Sequence, residues 1–98
     1  MEVYVNLQRR GRYTLLATCD VNLLGKTFRD ERLVFEIRKE FYMGSRMSVD
    51  EAIMLMKQSA IVNMVGRNIV AKALENGLIH PDAILEISGI PHAQIVRL

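Results

Sequence analysis

Arg9, Arg10 and Arg12 fall within four consecutive positions, with Tyr4 and Tyr13 nearby in the chain. Guanidinium groups at that density can hold backbone phosphates while a tyrosine ring stacks on a base. Lys26 and Arg29 are candidates to extend the patch, so the RNA-binding set is Arg9, Arg10, Arg12, Tyr13, Lys26 and Arg29. A solvated turn whose charges keep the end of a sheet soluble would use the same residues. A second group, Asn63, His92 and Gln94, carries hydrogen-bonding side chains of unassigned role. Gln94 follows His92 by two and, in a strand, projects from the same face. These residues read as a small polar constellation or, preferably, as a hydrogen-bond clamp closing the last strand, with His92 held in a turn by Pro91.

Other chemistries are disfavoured by spacing. Gly25-Lys26-Thr27 looks like the end of a phosphate-binding loop, which needs a glycine five residues earlier so that backbone N–H groups wrap the phosphates. Asp20 stands there instead, and its charge repels them. Cys19 with His92 would make a thiolate–imidazole pair, but a lone cysteine usually ends as an inert buried hydrophobe. Cys19, His80 and His92 lack the spacing of a metal site. His80, just before Pro81, suits a helix-end cap. The segment around Gly66 invites a helix-turn-helix reading, with Arg67, Asn68, Lys72 and Asn76 as base readers, though any helical hairpin shares that pattern. No catalytic residue, cofactor or metal is therefore assigned.

The elements that must carry these residues follow from periodicity. Val3, Val5 and Leu7 alternate with polar neighbours, Arg9–Arg12 interrupts, and Tyr13–Thr18 resumes, which reads as a β-hairpin with Gly11 in its turn. Residues 19–31 read as irregular, with Leu23 and Leu24 inward. Leu33, Phe35 and Ile37 mark a third strand, and residues 41–47 a short fourth around Gly44. Ser48-Val49-Asp50-Glu51 fits a capping box, after which apolar residues recur at helical spacing. A helical pair over about 48–76 is expected, broken at Gly66 and stopped by Gly77. Strands at 83–87 and 93–98 follow, with a turn around Gly89 between them. The fold class is α+β: an N-terminal antiparallel hairpin, a third strand, the helices, and C-terminal strands completing one sheet with helices on one face.

The totals agree with one domain over residues 1–98. Half the residues are hydrophobic, enough for a core and wrong for a disordered chain. A single cysteine forms no internal disulfide, the start lacks a signal-peptide pattern, and the apolar run 60–65 is too short for a membrane span. A cytoplasmic location is expected. Net charge is +2, carried by residues 1–47, which hold nine Lys/Arg against six Asp/Glu. That balance tolerates a polyanionic partner without demanding one.

The tail Gly89-Ile90-Pro91-His92-Ala93-Gln94-Ile95-Val96-Arg97-Leu98, with Leu23–Phe28, Val62–Gly66 and Gly77-Leu78-Ile79 in the same order, resembles an archaeal family known as domain of unknown function 424. The resemblance implies a small archaeal cytoplasmic protein, from a family sometimes guessed to bind RNA or accompany translation genes. It carries no catalytic residues, and the arginine cluster is not part of its pattern. The leading expectation is a non-enzymatic RNA-binding or translation-associated protein whose partner is RNA or a ribonucleoprotein. The alternatives are an enzyme with a small polar site near His92 and Gln94, or an adaptor lending a sheet edge to a partner. Homo-oligomers through sheet edges fit the same pattern.

Overall fold

In the computed structural model, which describes residues 1–97, the alternating N-terminal segment forms β1 (Glu2–Arg10) and β2 (Tyr13–Asp20). They pair antiparallel with Arg10 opposite Tyr13, so two residues make the turn, and Gly11 takes the positive φ of +61° there. Of the stretch read as irregular from Cys19 to Glu31, Cys19 and Asp20 complete β2, and the chain leaves the sheet after them. It forms a 3-10 turn (Val21–Leu23) and β3 (Thr27–Arg29), which pairs with β4 (Val34–Glu36) as a separate two-stranded ribbon. The third strand expected in the main sheet therefore lies outside it. A four-residue helix, α1 (Lys39–Tyr42), and β5 (Ser45–Ser48) follow, and β5 returns to the sheet beside β1. Gly44 permits that return: a Cβ there would stand 2.3 Å from the carbonyl oxygen of Val5.

The segment read as a helical pair is not continuous. Helix α2 (Val49–Gln58) is followed by a strand, β6 (Ile61–Val65), and only then by α3 (Arg67–Glu75). The physical reason is burial on both sides. A strand inserted between two others, with both faces covered, loses regular polar alternation and reads as a near-continuous apolar run, here interrupted by Asn63. Gly66 thus joins a strand to a helix, which removes the helix-turn-helix reading and its docking geometry. A 3-10 turn (Pro81–Ala83) leads to β7 (Leu85–Ile87) and β8 (Ile90–Val96). The Ser88-Gly89 turn between them has φ of +51° and +77°, the pattern of a tight hairpin. The last strand expected over 93–98 begins earlier, and Leu98 lies outside the described residues.

The sheet runs β5-β1-β2-β6-β8-β7, with β2 and β6 parallel and the other neighbours antiparallel. This α+β fold covers both faces. On one, Val3, Val5, Leu16, Val62 and Met64 meet Ile53 and Met56 of α2 and Ile69 and Val70 of α3. On the other, Ala17, Cys19 and Val65 lie beneath Leu23, Ile37 and Tyr42 of the excursion that contains the ribbon and α1. The helical pair occupies one face as expected, while the short α1 belongs to the opposite side. The sheet's outermost strands are short, four and three residues, which limits the edge open to strand addition.

Helix α2 starts at the expected box: Glu51 N–H donates to Ser48 Oγ (3.1 Å), and Ser48 N–H to Glu51 Oε1 (3.3 Å). Its far end is closed by Arg97, whose Nη1 donates to the carbonyls of Met56 (2.9 Å) and Ser59 (2.6 Å). A cation there also complements the helix dipole. Among the described residues, no helix is long and apolar enough to cross a membrane.

Candidate functional site

The β1–β2 hairpin outruns its neighbours. The pairing of β5 ends opposite Val5, and that of β6 begins opposite Leu15, so Arg9–Tyr13 stand clear as a two-stranded tip, and Thr14 at its base accepts the N–H of Ala60 (3.3 Å). Arg9, Arg10 and Arg12 are exposed, and among the described residues none has a carboxylate within 4.0 Å. By contrast, Arg46 lies 2.6 Å from Glu2, and Arg38 lies 3.6 Å from Glu36 and 3.8 Å from Glu40. Strand alternation places Arg10 and its cross-strand partner Tyr13 on the face away from α2 and α3. There Arg10 Nη2 donates to Gln8 Oε1 (2.5 Å), and Gln8 Nε2 donates to the carbonyl of Phe41 (3.3 Å).

Lys26 and Arg29 do not extend this patch. Lys26 N–H donates to Leu23 O (3.0 Å), just past the Asp20 end of β2, and Arg29 O accepts from the Ser88 hydroxyl. The Ser88-Gly89 turn precedes the end of β8 that pairs with Val65, away from the hairpin tip. Both exposed cations therefore sit with the ribbon at the opposite end of the sheet.

Asn63, His92 and Gln94 are brought together. Asn63 pairs with Gln94 and Val65 with His92 across β6 and β8, so all three side chains share the ribbon-covered face. With Phe35, Glu36, Arg38, Phe41 and Tyr42 they line a groove of about 330 Å³. Gln94 Nε2 donates to Asn63 Oδ1 (2.6 Å), which bridges the two strands as a clamp would. His92 lies inside β8 rather than in a turn, its ring tilted 57° against Phe35 at 4.8 Å. Burial lowers its pKa from 6.5, so the imidazole is neutral at pH 7. In a larger depression of about 370 Å³, Ser48 is engaged in the capping box and Lys72 in a pair with Asp50 (3.4 Å).

The reactive-cysteine reading meets two obstacles. Cys19 is buried, and burial, helped by the neighbouring Asp20 charge, pushes its thiol up to about 12. Cys19 is also in register with Val65, and Val65 with His92, which leaves two strand spacings, about 10 Å, between thiol and ring positions. His80 caps a helix end: its Nδ1 accepts the N–H of Asp82 (3.1 Å) at the Pro81–Ala83 turn.

Sequence reasoning missed Asp20 as a positioning group. Its carboxylate is 4% exposed and accepts the N–H groups of Asn68 (2.9 Å) and Ile69 (3.1 Å) at the start of α3. Burial raises its pKa, opposed by those two N–H donors. Gly66 precedes α3 with φ +123°, and a Cβ there would lie 2.3 Å from the Asp20 carboxyl carbon. A helix N-terminus that would otherwise attract an external anion is filled by the chain's own carboxylate. Arg38, Phe35 and Phe41 were missed as groove residues, because only the return of the excursion over the sheet places them beside β6 and β8.

The family described as "protein of unknown function (DUF424)" matches residues 8–98. The chain belongs to that family. The match spans both the arginine tip and the groove of this DUF424 protein. Its structure is similar to a crystal structure of an uncharacterized conserved protein from Methanopyrus kandleri, with a TM-score of 0.84 and 27% identity. The similarity covers 100% of this chain and 95% of that one. Among curated proteins, none matches the DUF424 chain.

Proposed function

We propose that this DUF424 protein is a non-enzymatic RNA-binding protein that grips the backbone of a single strand with its hairpin tip. The partner is RNA, free or within a ribonucleoprotein. One observation carries the reading: three exposed arginines, none with a carboxylate partner among the described residues, stand on a tip clear of the sheet. Guanidinium groups that no internal carboxylate neutralises are available to phosphates, which they bind in a fork geometry. Tyr13, 43% exposed opposite Arg10, supplies a ring for stacking beside them.

Counterion release makes the proposal quantitative. If each arginine neutralises one phosphate of a single strand, log affinity falls against log salt with slope about −2. Affinity then drops roughly 20-fold between about 50 and 200 mM salt. Replacing Arg9, Arg10 and Arg12 together with Gln flattens the slope by about two units and weakens unrelated sequences alike, since phosphate contacts position without specifying. The measurement is a titration of labelled single-stranded RNA at several salt concentrations. Identical slopes for parent and triple variant remove the tip from the interface, and no binding by the parent at low salt refutes the RNA reading.

A further inference from the structure

We infer that the groove beneath the ribbon is a subsite for one unpaired nucleobase of the bound strand, an inference that rests on the RNA reading above. Its lining combines what a base requires. Phe35 and Phe41 are half-buried rings on its wall, and His92 continues the ring surface against Phe35. Beside them stands the Asn63–Gln94 pair. With Gln94 Nε2 committed to Asn63 Oδ1, an Asn63 amide donor and the Gln94 carbonyl acceptor have no partner among the described residues. A donor beside an acceptor is the pattern that a base presents on its Watson–Crick edge.

Charge argues for the base rather than the phosphate. Arg38 and Glu36, the charged residues of the groove lining, lie 3.6 Å apart and cancel, and Glu40 lies 3.8 Å from the same guanidinium. A phosphate entering there would compete with two carboxylates, whereas a neutral planar ring meets no such opposition. The phosphates are left to the tip, where Arg10 and Tyr13 share the groove's face and Arg9 alternates to the other. Asn6 aligns through Ala17 with Asn63, and Arg10 lies four residues further along β1. That separation is about 13 Å along the strand and about 10 Å across two strand spacings, a reach that a single strand covers in a few nucleotides. The link is also physical: Phe41, a wall of the groove, accepts the Gln8 amide that in turn accepts from Arg10.

The test uses the whole protein and labelled single-stranded RNA, compared with an abasic ribose-phosphate oligomer of equal length. Gln94→Ala and Phe41→Leu should each weaken RNA binding about tenfold, with the salt slope unchanged. The parent should bind the abasic oligomer correspondingly less well, and that residual binding should be indifferent to both substitutions. Gln94 is exposed on β8, so Gln94→Ala decides the matter alone if Phe41→Leu fails to fold. Parent-like RNA affinity in a folded Gln94→Ala variant, or equal parental affinity for RNA and abasic oligomer, overturns the base subsite. In that case the salt slope and its loss on replacing the three arginines would still sustain RNA binding. A parent that binds no RNA at low salt removes both.

Discussion

Replacing Gly66 by Ala should destabilise the fold by two mechanisms that a double-mutant cycle can separate. The first is backbone strain. Gly66 has φ +123° and ψ 151°, a region open essentially to glycine, and forcing another residue into it costs about 1–3 kcal/mol. The second is a collision, because the new Cβ would lie 2.3 Å from the Asp20 carboxyl carbon. The carboxylate must move off the N–H groups of Asn68 and Ile69, and losing that cap costs about 2 kcal/mol. Gly66→Ala should therefore cost about 3–5 kcal/mol, and Asp20→Ala, which removes the cap alone, about 2 kcal/mol. The double variant loses the cap only once. It should sit about 3–5 kcal/mol below the parent rather than at the sum of the single effects, a coupling of about 2 kcal/mol. Urea denaturation of the four proteins at neutral pH measures it. Additivity to within about 0.5 kcal/mol would show that Gly66 and Asp20 act independently, and would refute the capping argument.

Two further perturbations test the frame around the site. Ser48→Ala should cost about 1 kcal/mol by removing the α2 cap, and an unchanged denaturation midpoint would contradict the reciprocal Ser48–Glu51 bonds. Burial lowers the His92 pKa from 6.5, so below that pH the unfolded chain takes up its proton more readily than the folded one. Its contribution to stability is complete above pH 6.5 and is lost as pH falls through the lowered value. His92→Gln should flatten the stability profile in that window, and profiles that stay parallel to the parent's would show that the ring titrates as if exposed.

What the sequence conveyed was the information written in neighbours a few residues apart. The Ser48–Glu51 box spans three residues and was found where the chain places it. Gly11 between two alternating segments gave the hairpin, and with it the exposed position of the arginines. The failure at Ile61–Val65 came from the same local logic. A strand covered on both faces shows no regular alternation, and its near-continuous apolar run was absorbed into the preceding helical period. The groove depended on register. Asn63 meets Gln94 only because β6 and β8 pair in one alignment, and a shift by one residue would send the two side chains to opposite faces. The capping of α3 by Asp20 likewise arises because the parallel pairing sets Cys19 beside Val65, which brings the residues that follow each into contact.

The parallel alignment of β2 with β6 also sets an order of events for the folding chain. Leu15 cannot meet Ile61 until the ribbon, α1, β5 and α2 have been gathered between them, whereas β1 and β2 need only close a two-residue turn. The N-terminal hairpin can form within microseconds, but its inner edge stays unpaired until a loop of more than forty residues has closed. The antiparallel pairing of β6 with β8 closes a shorter loop than the parallel pairing of β2 with β6, so the C-terminal strands can pair among themselves and the barrier lies in joining two halves that are each locally simple. During that interval the exposed edge of β2 is the part of the nascent protein most open to pairing with another chain.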